Sequence, residues 1–258
     1  MQLTMNGRNA LITGGSLGIG RAIAARFLES GANVAIVARR KEMLAEAKGA
    51  LASKGSGKIV TIAADVATAE GCATACQTAL AELGQVDVLV NNTGTSQRAD
   101  FVDITDEVWH ADIDLKLFAA IRLTRELMPK MRERKWGRVV NVLNTGAKAP
   151  PPSGAPTAVT RAAGLALTKV LAGEGAPDNV LVNAVLVGRI ESDQWERRAQ
   201  NQKRDVADIY AEMGPTIPMG RVGTAEEFAN IVTMLASDQG SYVTGTAINI
   251  DGGLCPVA

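Results

Sequence analysis

The sequence predicts an α/β protein: one doubly wound domain, with helices on both faces of a parallel sheet. Two observations carry this. Short, nearly continuous apolar runs alternate along the chain with longer segments of helical period, as expected for strands buried on both faces. The first run ends in a glycine-rich turn that leads straight into a helix.

The elements follow in order. Ala10-Leu11-Ile12 is the first strand. Ile19, Ile23 and Phe27, spaced by four, give the next helix its apolar stripe, and Gly31 ends it as a C′ glycine. Val34 to Val37 is the second strand, followed by a helix over about 40–54. Lys58 to Ala63 is the third, with a helix running to about Leu83. Val86 to Val90 and Arg138 to Leu143 are the fourth and fifth. One long helix separates them, from Thr105 to Arg134, with Thr105 as its cap and Asp106 and Glu107 at the positive end of its dipole. A helix from Thr157 to Ala176 leads to the sixth strand, Val180 to Val185. Thr224-Ala225-Glu226-Glu227 is a capping box opening the last helix, and Thr246 to Ile250 is the seventh strand. No Pro/Ser-rich linker divides the chain; Pro150-Pro151-Pro152-Ser153-Gly154 lies inside the pattern. Residues 1–258 therefore read as one domain.

Composition narrows the function. Lys plus Arg number 27 and Asp plus Glu 27, so the zero net charge supplies no field for nucleic acid or an anionic membrane. The one histidine, His110, leaves little for a metal centre, and none is expected. Cys72, Cys76 and Cys255 form neither a CxxC nor a disulfide framework, which points to a reducing cytoplasm. The polar start, Met1 to Ala10, and the lack of an apolar run of membrane length predict a soluble, uncleaved protein.

The strongest motif is Thr13-Gly14-Gly15-Ser16-Leu17-Gly18-Ile19-Gly20. Glycines between a strand and a helix let the backbone approach a pyrophosphate, which sits on the helix N-terminus. Other segments agree with it: Asn91-Asn92-Thr93-Gly94 after the fourth strand, Val182-Asn183-Ala184 in the sixth with Gly188 and Ile190 beyond, then Gly220-Arg221-Val222-Gly223, Val243-Thr244-Gly245 and Asp251-Gly252-Gly253. In order and spacing the chain resembles the short-chain dehydrogenase/reductase family over nearly its whole length.

That resemblance implies a Rossmann sheet of strand order 3-2-1-4-5-6-7 and a nicotinamide dinucleotide. It also implies that Asp65 and Val66 flank the adenine and that Asn92, Thr93 and Gly94 line the adenosine ribose. Gly188, Ile190 and Ser192 would meet the nicotinamide, with Val187 replacing the usual proline. Cofactor choice has a physical argument. Where an NAD binder places a carboxylate for the ribose 2′-hydroxyl stands Ala38, and Arg39 beside it can hold a 2′-phosphate bidentately. The expected cofactor is NADP(H), with Arg39 the main determinant and Ser16 and Arg40 assisting.

The family's catalytic set is a Tyr acid/base, a Lys four residues later, an upstream Ser, and an Asn in the long helix. Asn144 ends Gly137-Arg138-Val139-Val140-Asn141-Val142-Leu143-Asn144, where the Ser belongs. Thr157 holds the Tyr position and Arg161 the Lys position, from which it would still reach the cofactor ribose. Asp112-Ile113-Asp114-Leu115 assigns Asp114 to the Asn position. An aliphatic hydroxyl is a far weaker acid than a phenol. Asp114, Lys148, Tyr210 or water would then move the proton, while Asn144 and Thr157 orient the substrate. Tyr242 reads as core packing and His110 as surface.

The expectation is an NADP(H)-dependent oxidoreductase of rewired site acting on a small carbonyl or alcohol. The alternative is a catalytically degenerate member, a cofactor sensor or silent subunit of a mixed oligomer. A lyase or dehalogenase ranks below both, because the glycine loop is intact and the Tyr absent. The resemblance further implies a homodimer or homotetramer, or a hetero-oligomer with an active relative. A charged lid would span about 192–218.

Overall fold

In the computed structural model, which describes residues 3–5 and 7–258, seven parallel strands form one sheet. They are β1 (Asn9–Thr13), β2 (Asn33–Ala38), β3 (Ile59–Ala63), β4 (Val88–Asn91), β5 (Gly137–Asn144), β6 (Val180–Val187) and β7 (Ala247–Ile250). Their order is β3-β2-β1-β4-β5-β6-β7, as expected. The chain reverses direction across the sheet between β1 and β4. In such folds the carboxyl ends of the strands at that point open a crevice for ligands.

Alternation along each strand feeds two cores. Ile12, Ile36, Val90 and Val140 point to one face, against α1 (Gly18–Glu29), α2 (Lys41–Leu51) and α9 (Ala225–Ala236). Leu11, Val37, Leu89 and Val139 point to the other, against α3 (Ala69–Leu83), α5 (Ala119–Glu133) and α6 (Thr157–Gly175). Phe27 and Phe228 are wholly buried in the first core, and burying each contributes about 1.5–3 kcal/mol. Thr224 and Glu227 close the capping box at the start of α9 reciprocally.

Four departures from the sequence reading matter. The long helix is not continuous: α4 (Asp106–Ile113) and α5 are joined by a π-helical turn, Asp114–Phe118. Thr105 stands at the N-cap of α4 without a side-chain cap bond. The expected lid folds as two short helices, α7 (Asp193–Gln202) and α8 (Val206–Met213). Tyr242, read as core, is fully exposed at 102%, because it sits on the turn before β7. No described helix is long and apolar enough to cross a membrane.

Candidate active site

A cleft of about 910 Å³ opens at the carboxyl ends of β1, β2, β4, β5 and β6. The loop after β1 forms its floor. Gly14 has φ +64° and Gly18 φ +50°, a left-handed backbone that other residues adopt only with strain. A Cβ on Gly20 would overlap the carbonyl of Gly14 and lie 2.6 Å from Asn92 Nδ2. The loop is thus drawn tight against the start of α1, whose free N–H groups face the cleft end.

The loop after β4 is tied to this floor. Thr13 Oγ1 accepts from the Asn92 N–H at 2.9 Å and the Thr93 N–H at 3.1 Å. Asn92 Nδ2 donates to the carbonyls of Thr13 at 2.9 Å and Gly14 at 3.3 Å. The Asn92 amide therefore spends its donors on the loop itself. Asp65 accepts from the Ala67 N–H at 3.1 Å, closing the turn after β3.

The residues expected to hold a dinucleotide do gather here. Gly14, Ser16, Leu17, Ile19 and Gly20 line the cleft, and Gly18 turns the chain behind them. Arg39, Arg40, Asp65 and Val66 line its β2–β3 end, Asn92, Thr93 and Gly94 its middle, and Gly188, Ile190 and Ser192 its β6 side. Arg39 and Arg40 are exposed and make no ion pair among the described residues. Thr93 Oγ1, Asn144 Oδ1 and Arg161 Nε are buried with no partner inside the protein. Since buried polar groups are normally satisfied, this lining suits a polar ligand spanning the cleft.

At the β5 end lie Asn144, Thr157 and Arg161, as the sequence placed them. Asp114 is a correction. At two residues from both Asp112 and Lys116 it lies on the opposite side of the helix, where it is 42% exposed and pairs with Arg122 at 3.1 Å. The side chain that turns inward is Lys116. Its Nζ is wholly buried, donates to Thr157 Oγ1 at 2.8 Å, and forms an ion pair with Asp112. Thr160 Oγ1 donates to the other Asp112 oxygen at 2.6 Å. Burial pulls the Lys116 pKa from 10.5 down to about 8; the bond to Asp112 opposes this and the charge of Arg161 adds to it. Burial likewise lowers Arg161 to about 10, leaving it charged. Gly94 sits against both groups: a Cβ there would overlap the Arg161 guanidinium and lie 3.7 Å from Lys116 Cε.

Thr157 is 3% exposed. Its hydroxyl also donates to the Gln97 carbonyl at 2.9 Å and accepts from the Gln97 N–H at 3.0 Å. The other proton carriers considered from sequence do not come here. Lys148 donates to the Ala247 carbonyl at 2.8 Å. Tyr210 lines a separate cavity of about 650 Å³ beneath the lid, and burial raises its pKa. His110 is exposed on α4.

Sequence reasoning missed Asp112, Lys116 and Thr160. A signal existed: an acid four residues before a base on one helix is a favourable pair. Such pairs usually lie in solvent, and only the packing against α6 shows that this one faces inward.

Known proteins resemble this chain over nearly its whole length. A family model described as enoyl-(acyl carrier protein) reductase matches residues 14–255. The chain is 33% identical to the uncharacterized oxidoreductase YvrD of Bacillus subtilis, over 98% of each. L-sorbose reductase of Gluconobacter frateurii, solved with NADPH and L-sorbose, superposes with a TM-score of 0.94 at 33% identity, covering 100% of both chains. A short-chain oxidoreductase of Pseudomonas aeruginosa PAO1, NADPH-bound and described as containing an atypical catalytic center, superposes with a TM-score of 0.91 at 34% identity, covering 99% of this chain and 100% of that one.

Proposed function

The chain belongs to the short-chain dehydrogenase/reductase family, an oxidoreductase lineage, and from that premise we propose that it reduces a small carbonyl compound with NADPH, using Lys116 as the proton source. The observation that carries the reading is the 2.8 Å bond from Lys116 Nζ to Thr157 Oγ1. It connects a buried amine of pKa about 8 to a hydroxyl at the β5 end of the cleft.

NADPH, when bound, would supply the hydride for the carbonyl carbon; Arg39 and Arg40 would hold its 2′-phosphate, Arg161 its nicotinamide ribose, and the glycine loop its pyrophosphate. Asn144 donates from its amide to the substrate oxygen, stabilising the charge that develops there. The Thr157 hydroxyl turns from the Gln97 carbonyl to that oxygen and gives up its proton while accepting one from Lys116. The two transfers are concerted, so no free alkoxide of Thr157 forms. Asp112, held in turn by Thr160, fixes the amine, which after product release regains its proton from water in the cleft by the reverse relay through the Thr157 hydroxyl. Helices α7 and α8 act as the lid. Val159 and Val170, exposed on α6 at 53% and 58%, supply apolar surface for pairing with a second copy.

One observation favours a second reading, a cofactor-binding member without turnover: the Thr157 hydroxyl already has three partners inside the protein. The deciding experiment measures NADPH and NADH binding by fluorescence, then NADPH consumption across a panel of carbonyls. The wild type and an Asn144→Ser/Thr157→Tyr/Arg161→Lys variant are compared. Wild-type turnover supports the reductase. Binding without turnover, with activity only in the variant, supports the silent member.

A further inference from the structure

We propose that the substrate is an anion, a keto acid or a phosphorylated ketone whose charged group is held by Arg98, Arg189 and Arg198 on the β4–β6 side of the cleft. The inference rests on the reductase reading and names the substrate class for that same site.

The three guanidinium-bearing residues all line the cleft but come from separate segments. Arg98 lies in the loop after β4 and bridges to Pro156, immediately before Thr157. Arg189 follows β6. Arg198 lies on α7, one turn beyond Trp195. The guanidiniums of Arg189 and Arg198 stand 5.5 Å and 5.6 Å from the centroid of the same Trp195 ring. The shared Trp195 ring keeps both cations near one another, with apolar surface beside them.

None of the three has a carboxylate partner among the described residues, although elsewhere the chain pairs its arginines readily. The two carboxylates that line the cleft do not offset them. Asp193 is taken by Arg197 at 2.7 Å, and Asp65 lies at the β3 end. Burial and the charges of Arg98 and Arg198 lower the pKa of Arg189, a sign that the three fields overlap. A protein of zero net charge has thus gathered unpaired cations at one end of a cleft, an arrangement that an incoming anion relieves.

Sheet position separates this cluster from the cofactor's own phosphates. The glycine loop and Arg39 follow β1 and β2, whereas Arg98 and Arg189 follow β4 and β6. Asn144, at the end of β5 between them, lies on the same side as the cluster. A guanidinium fork accepts carboxylate and phosphate alike, which leaves both sources open.

The test uses matched probes: 4-oxopentanoate against its methyl ester, and dihydroxyacetone phosphate against dihydroxyacetone. Each is titrated calorimetrically into the cofactor-free protein and into the protein saturated with NADP⁺. At least one anion should bind about tenfold or more tighter than its neutral counterpart, as charge-assisted bonds predict. The pair that shows the preference identifies the carboxylate or the phosphate as the source. An Arg98→Ala/Arg198→Ala variant, altered only at exposed positions, should lose that preference while its NADP⁺ affinity changes less than about threefold, under 1 kcal/mol. No anion preference in the wild type overturns the proposal. So does a variant that loses NADP⁺ affinity and keeps the preference, since the cluster then serves the cofactor. Failure of the wild type to bind NADP⁺ would instead sink the reductase reading, and the cofactor-free titrations would still judge the cluster.

Discussion

Lys116→Met is the perturbation that separates a working proton source from a buried structural cation. The wild-type amine has a pKa of about 8, so near pH 7 it is almost wholly protonated and near pH 9 only about one part in ten. If it supplies the proton for reduction, kcat/KM should fall roughly tenfold across that interval, with a midpoint near 8. In Lys116→Met the limb should vanish and the plateau should drop about 10²–10⁴-fold, the usual worth of general acid catalysis. Stopped-flow NADPH consumption across the pH range reads both. A wild-type profile flat through this window, or the same midpoint in the variant, would refute the assignment. Folding must be separated from rate, because the substitution leaves Asp112 with only Thr160 as a partner. Removing one member of a buried pair costs about 3–5 kcal/mol. Asp112→Asn/Lys116→Met removes both charges, so it should recover much of that stability without recovering the rate.

The same pKa has a linked effect on stability. An ordinary lysine keeps its proton to about 10.5, but Lys116 in the fold releases it near 8. Between those values the unfolded chain binds more protons, so this group's contribution rises with pH, by about 3 kcal/mol in all. Cys72 and Cys76 oppose it. Burial raises their thiols from 9 to about 11 and about 12, so the fold retains protons the unfolded chain has lost and stability falls as pH passes 9. Subtracting the Lys116→Met curve from the wild type removes the cysteine contribution and leaves the lysine alone.

Other outcomes follow from the geometry. Arg39→Ala should weaken NADPH binding by about 1.5–3 kcal/mol, the worth of a charge-assisted bond, and leave NADH binding unchanged in the same fluorescence titration; equal NADH and NADPH affinity in the wild type would contradict the 2′-phosphate assignment. Gly20→Ala should abolish cofactor binding and lower the Tm, since its Cβ would overlap the Gly14 carbonyl; full NADPH affinity would show that the loop can relax. In native protein a thiol reagent should label Cys255 quickly and the buried pair Cys72 and Cys76 only on unfolding, as mass spectrometry would report. Thr224→Ala should cost about 1 kcal/mol in denaturant unfolding by opening the α9 capping box.

What could be read from the sequence divides along a physical line. Strands and cofactor loop were legible because they rest on local signals: two-sided apolar runs, glycines at turns, caps at helix starts. Strand order and the places of Asn144, Thr157 and Arg161 were legible only through the family resemblance, which carries the order of the strands and the spacing of those positions. The proton source was not. Asp114 and Lys116 are two residues apart on a helix, and a regular helix would set their side chains about 200° apart. Which of the two faces the cleft is set by how this helix packs against α6, through Lys116 to Thr157 and Asp112 to Thr160, a tertiary contact that local composition does not announce. The inward residue then reverses the chemistry inferred for the site. With Asp114 inside, Arg161 would face a carboxylate and the hydroxyl at Thr157 would have no cation beside it. With Lys116 inside, two cations share one buried carboxylate, Asp112. Burial, with the charge of Arg161 adding to it, depresses the amine pKa. An amine that would be inert as an acid in water becomes one able to exchange its proton near neutrality. In the proposed reaction the missing phenol is answered by this lysine, acting through the threonine that stands in the phenol's place.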